Sequence, residues 1–156
     1  MMDLFYTNCS SQEPHIGFIG RWAPLHCGHT WIIEKVRREK NLPVLVLVRK
    51  TAFDEYSAEM RAEIVKTWFE KNGIRGSIAI IPDIEGIYYG RGVGYEIEEI
   101  EPPEEIRTIS ATEIRKMIGE GSEEWKQAVA SGTSDVVERI IRNKLCNTKK
   151  RKGAAV

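Results

Sequence analysis

No uninterrupted apolar run approaches the eighteen or so residues that a membrane-spanning helix needs, so the sequence predicts no such helix. The opening stretch "MMDLFYTNCSSQEP" lacks the basic region and apolar run of a secretory signal. A soluble, cytoplasmic protein with no membrane partner is the expectation. Cysteine is scarce: Cys9, Cys27 and Cys146 are odd in number, scattered, and outside any Cys-x-x-Cys pair. That pattern indicates neither a disulfide framework nor a zinc site, and the three read as reduced thiols. Net charge is also missing, with 23 basic residues balancing 23 acidic ones, but the balance is uneven. Without Lys149, Lys150, Arg151 and Lys152 the rest of the chain holds 19 basic against 23 acidic residues, a sign that does not attract nucleic acid. The expected organisation is one domain over residues 1–146 and a basic, solvated tail over 147–156.

What is present is an alternation of strand and helix signals. "HIGFIG" (15–20), "VLVLV" (44–48), "SIAII" (77–81) and "GIYY" (86–89) are short apolar runs; the second, without alternation, suits a parallel strand covered on both faces. Between the first two, "TWIIEKVRREK" places Ile32, Ile33 and Val36 on one stripe and ends at the Asn41-Leu42-Pro43 breaker. Ser57 is a good N-cap for a helix with apolar Met60, Ile64, Val65, Trp68 and Phe69, stopping at Asn72-Gly73. "SATE" reads as a capping box in which Ser110 bonds forward and Glu113 back, and two short helices are expected over 125–130 and 136–145. The fold class is therefore α/β: a single doubly wound, Rossmann-like domain with a roughly five-stranded parallel sheet and C-terminal helices. Ligands of such sheets sit at the carboxyl ends of the strands.

One of those ends carries "GRWAPLHCGHTWIIEK", with two histidines three residues apart around Gly28. A strand running into a helix offers unpaired backbone N–H groups and the positive end of the helix dipole, which suit an anion. Gly28 permits close approach and Pro24 stiffens the turn, so His26 and His29 can face one phosphate chain. A surface accident or half a metal site are the bland alternatives; no third metal ligand stands at a recognisable spacing, so no metal residue is assigned. About eighty residues later "ISATEIR" (109–115) repeats the physics of an apolar run entering a helix, with Ser110, Thr112 and Arg115 as donors. "GRGVG" (90–94) has the wrong spacing for a dinucleotide fingerprint and opens no helix, which rejects a dehydrogenase. "FDEY" (53–56) reads as turn chemistry rather than a catalytic carboxylate dyad.

"GRWAPLHCGH" and "ISATEIR" together resemble the two hallmark motifs of the HxGH nucleotidyltransferases, a superfamily of adenylyl- and cytidylyltransferases. With "PDI" (82–84), "GYEI" (94–97), Pro102-Pro103 and "TEIR", the chain from about His15 to Ile141 is similar to the archaeal nicotinamide-mononucleotide adenylyltransferases and to phage-type nucleotidyltransferase domains. The resemblance implies attack by an acceptor oxyanion on the α-phosphate of ATP, or of CTP, with loss of pyrophosphate. It implies His26, His29 and Arg115 as catalytic residues. Nucleotide contacts would come from Gly20, Arg21, Trp22, Gly28, Tyr89, Gly90, Arg91, Ile109, Ser110 and Thr112. Arg49, Lys50 and Arg61 would meet the acceptor, although Arg61 reads equally well as a surface helix residue. Mg2+ would arrive with the triphosphate rather than in a carboxylate cage. A nucleotide sensor without turnover is the rival of another class, an aminoacyl-tRNA synthetase fragment is too short a chain, and homo-oligomerisation is left open. The chain departs from the nicotinamide enzymes after "PDI": only Glu85 precedes Gly86, and Trp22 and Phe53 supply one wall at most for a pyridine ring. Arg21, Arg49 and Lys50 instead suit a compact anionic acceptor.

Overall fold

The computed structural model describes residues 4–52, 56–92 and 94–143. Phe53 and the Asp54–Glu55 pair of "FDEY", Val93 of "GRGVG", Leu145, Cys146 and the basic tail lie outside the described residues. In chain order the elements are β1 (Leu4–Thr7), β2 (Ile16–Gly20), α1 (Cys27–Lys40), β3 (Val44–Lys50), α2 (Ala58–Asn72), β4 (Gly76–Pro82), α3 (Glu104–Arg107) and α4 (Ala111–Gly119). A 3₁₀ turn (Glu124–Gln127) and a last helix, α5, over residues 134–143 follow.

The class is α/β, but the sheet corrects the expectation of five parallel strands. It has four, in the order β1-β4-β3-β2, with β2, β3 and β4 parallel and β1 antiparallel to β4. The apolar run at 86–89 forms no strand: Ile87, Tyr88 and Tyr89 are 61%, 85% and 57% exposed. Strand propensity measures fit to a half-buried pleated surface, and no described strand offers one to this run. β1 instead closes the β4 edge from within the polar start of the chain, Leu4 facing Ala79 and Thr7 facing Ser77.

β3 is central because it pairs on both sides, Val46 with Phe18 and with Ile78. Val44, Val46 and Val48 are fully buried while Leu45 and Leu47 are only partly so, so one face is sealed and the other half-covered, a correction to equal cover on both. α1 leaves its helix at Asn41, whose positive φ of 51° lets its N–H reach the Arg37 carbonyl at 2.8 Å. α2 starts at Ser57, which accepts from the Met60 N–H, and stops at Gly73 with φ 62°. Its inward stripe holds Ile64, Val65, Trp68 and Phe69, but Met60 is partly exposed and the place beside it is taken by a fully buried Arg61. Val136, Val137, Ile140 and Ile141 of α5 join Trp125 and Val129 in the same core. No helix among the described residues is long and apolar enough to cross a membrane.

Candidate active site

β2 ends at Gly20 and α1 begins at Cys27, so the six residues between them form the loop at the carboxyl end of the parallel strands. Trp22 adopts φ 54° and folds its indole back over Gly20, where a Cβ would lie 2.9 Å from the ring. Only glycine fits beneath it. The indole N–H donates to the Leu47 carbonyl at 3.0 Å, and the ring meets His29 edge-on at 4.9 Å. The Ala23–Pro24 peptide is cis. The loop is then stitched to the segment after the 3₁₀ turn: the Cys27 N–H donates to Ala128 O at 2.9 Å, the Ala130 N–H donates to Leu25 O at 3.1 Å, and His26 bridges Val129.

His26 is the N-cap of α1, and its Nδ1 accepts from the Gly28 N–H at 3.1 Å. His29 reciprocates, its Nδ1 accepting from the His26 N–H at 3.3 Å. A nitrogen that accepts carries no proton, so each neutral ring holds its proton on Nε2. The rings stack with centroids 3.7 Å apart and planes 23° apart. Gly28 is required for this packing, because a Cβ there would sit 2.9 Å from His26 Cε1. Burial lowers the pKa of His26 to about 4; burial, and then the charge of His26, lower that of His29 to about 3. Near neutral pH both imidazoles are therefore uncharged. Neither Nε2 has a hydrogen-bond partner among the described residues, and neither is among the sealed-off unpartnered atoms, so both reach solvent.

This corrects the expected source of anion-binding donors. The Cys27 and Gly28 N–H groups at the start of α1 are spent on Ala128 O and His26 Nδ1. At the start of α1 the donors that remain are the two Nε2–H groups. The Cys27 thiol faces Gln127 O at 3.6 Å and Val129 O at 3.5 Å, and burial, opposed by a backbone hydrogen bond, raises its pKa, which disfavours the nucleophilic thiolate near neutral pH.

The second motif docks onto this loop. Ser110 caps α4 by accepting from the Glu113 N–H at 3.1 Å; the return half of the box is absent among the described hydrogen bonds. Arg115, one turn on, donates to Ala23 O at 2.6 Å and reaches Thr112 Oγ1 at 3.4 Å. The Ile109 N–H is held by Ile106 O at 3.0 Å, and Ile106 O itself lies 4.0 Å from where a Gly28 Cβ would be. His26, His29, Thr112 and Arg115 are thus gathered at one end of the sheet.

The other expected contacts fare differently. Arg61 is not a surface residue: its guanidinium, fully buried, donates to Tyr56 O at 3.1 Å, to Arg49 O at 3.0 Å and to Arg21 O. Carbonyls at the ends of β2 and β3 turn inward there, and a rigid multi-donor fork satisfies them. An acceptor-binding role for Arg61 is replaced by a scaffolding one. Arg49 is held by Asp83 Oδ1, at 2.9 Å from Nε and 2.6 Å from Nη2, and Lys50 by Glu59 at 3.4 Å. Arg21 is exposed beside them. Tyr89, Gly90 and Arg91 are exposed, and no described contact joins them to the histidine loop. Sequence reasoning missed Asp83 and the 128–130 clasp; Arg61 was detectable, since it lies three and four residues before Ile64 and Val65 on the inward stripe. No protein-family model matches the chain, and no curated protein or solved structure matches it.

Proposed function

We propose that the chain is a nucleotidyltransferase of the HxGH type, moving AMP from ATP onto a small anionic acceptor with release of pyrophosphate. The observation that carries the reading is the pair of stacked imidazoles, both with Nδ1 locked to the backbone and Nε2–H left without a described partner, at the carboxyl end of parallel strands. An acceptor oxyanion attacks the α-phosphorus, a P–O bond forms, and the bond to the β-phosphate breaks with its electron pair leaving on pyrophosphate. Negative charge grows on the α-phosphate and leaving-group oxygens. Two preorganised neutral donors answer it at no cost of reorganisation, and Arg115 adds a cation from α4. Magnesium belongs to the triphosphate substrate, and no protein residue is assigned to it.

The acceptor end is supported by Arg21, Arg49 and Lys50, with the carboxylates of Asp83 and Glu59 standing where the acceptor's charge would be. Exposed ion pairs of this kind are worth about 1 kcal/mol or less, so an acceptor oxyanion can displace them. Cytidylyl transfer differs only in the base, and the segment at 89–92 that would choose it is exposed, with no described contact to the loop. Thermal shift with ATP and with CTP, each with magnesium, tests both. A triphosphate that binds only the folded chain raises the melting temperature by mass action, and the nucleotide giving the larger shift is the donor. No shift from either at millimolar concentration rejects the site.

A further inference from the structure

Opposite chemistry stands at the other end of the sheet. The turn after β1 brings Cys9 against His15, which precedes β2, and against Ser77 near the start of β4. Cys9 Sγ lies 3.2 Å from His15 Nε2 and 3.7 Å from Ser77 Oγ. The five residues of β2, about 16 Å at ~3.3 Å per residue, separate this corner from the histidine loop.

His15 Nδ1 is 2.7 Å from the Glu13 carbonyl, which can only accept, so Nδ1 carries the proton and Nε2 is a bare acceptor. Cys9 Sγ at 3.2 Å and Ser77 Oγ at 3.4 Å face that nitrogen, and the thiol is the nearer. The Ser77 hydroxyl is shared with Thr7 Oγ1 at 2.8 Å. Thiol, imidazole and orienting carbonyl stand in the order nucleophile, base, orienter. The charged groups at this corner are Glu13, whose carbonyl orients the ring, and Arg75, its ion-pair partner; the Tyr6 hydroxyl is occupied by Asn8. Cys9 is half-buried.

We propose that Cys9 is a base-assisted thiol that exchanges with low-molecular-weight disulfides, which makes it a covalent modification site separate from the transferase site. His15 Nε2 takes the thiol proton as Cys9 Sγ attacks one sulfur of the disulfide. A new S–S bond forms as the old one breaks, and the departing thiolate takes the proton from the imidazolium and leaves as a thiol. Oxidation passes from the small disulfide to Cys9, with no net change in electrons. Cys27, whose thiol is turned to two carbonyls, has no base and serves as the internal comparison.

The full chain treated with oxidised glutathione, with site-resolved mass spectrometry, tests this at about pH 7 and about pH 10. Cys9 should form its mixed disulfide about tenfold faster than Cys27 near pH 7, and His15→Gln should remove about tenfold there. Near pH 10, where a thiol ionises unaided, His15→Gln should match the wild type; a merely structural role would slow it at both pH values. Equal rates for Cys9 and Cys27 near pH 7, an unchanged His15→Gln rate there, or equal slowing at both pH values overturns the proposal. Should His15→Gln not fold, the wild-type rate at Cys9 decides alone: it must rise well under tenfold between about pH 7 and about pH 8, where an unaided thiol gains about tenfold, and a full tenfold rise overturns the proposal.

Discussion

His26 and His29 stack 3.7 Å apart, and each lends its Nδ1 to a backbone N–H of the same turn. The turn is thereby capped by the two side chains to which the transfer is assigned, so the local fold and the proposed chemistry depend on one protonation state.

That dependence sets a stability profile. In the fold the two imidazoles stay neutral down to about pH 4 and about pH 3, whereas in the unfolded chain they take up protons below about 6.5. The unfolded state then binds more protons, so stability is full above pH 6.5 and is lost as pH falls. Between about pH 6.5 and 5, before most carboxylates titrate, the loss should be about 2 kcal/mol for each histidine. His26→Asn keeps an acceptor for the Gly28 N–H without a titrating ring, and it should flatten this limb. Urea midpoints across that window check it; a wild-type midpoint that does not move contradicts the neutral pair.

Arg61 gives a second expectation. Replacing it with Met strands three inward carbonyls, those of Tyr56, Arg21 and Arg49, and should cost on the order of 3 kcal/mol or more. Arg61→Lys should recover only part, since one ammonium cannot reach all three with a guanidinium's geometry. Chemical unfolding measures both; a Met variant within about 1 kcal/mol of wild type would show that water satisfies those carbonyls.

What was legible in the sequence is what periodicity and caps encode. "VLVLV", the Ser57 start and the Gly73 stop of α2, and the Ser110 cap all stand where the residues place them. β1 was hidden because "LFYT" is four residues long, leaves three of them exposed, and gains its place only by pairing with a strand some seventy residues later. "GIYY" misled because its composition matches a strand while nothing described pairs with it. In the candidate site, HxGH suggested an anion-binding loop, but not which donors such a loop would keep. That depends on the Nδ1 contacts, which consume the backbone N–H groups that a bare helix start would offer. Arg49 and Lys50 were readable as cations, and their pairing with Asp83 and Glu59 was not, because it joins β3 to residues 34 and 9 positions further on.

Asp83 provides a third test. If its carboxylate occupies the place of the acceptor's charge on Arg49, Asp83→Asn removes a competitor worth about 1 kcal/mol or less. The acceptor KM should fall up to about fivefold with the turnover number nearly unchanged, and the triphosphate KM should not move. A rise in acceptor KM would mean that Asp83 holds Arg49 in its working position instead.

The central claim is transfer at the two imidazoles, and initial rates of pyrophosphate release with ATP or CTP, magnesium and a panel of small phosphate, phosphonate and sulfate acceptors test it most directly. Wild type should release pyrophosphate only when acceptor is present. His29→Ala should lower the turnover number by about 100-fold or more, the loss expected for one preorganised donor, while its thermal shift with the triphosphate stays near that of wild type. Acceptor-dependent release that is undiminished in His29→Ala, or no release by wild type with any donor and acceptor while the triphosphate still binds, would contradict it, the second outcome leaving a nucleotide sensor.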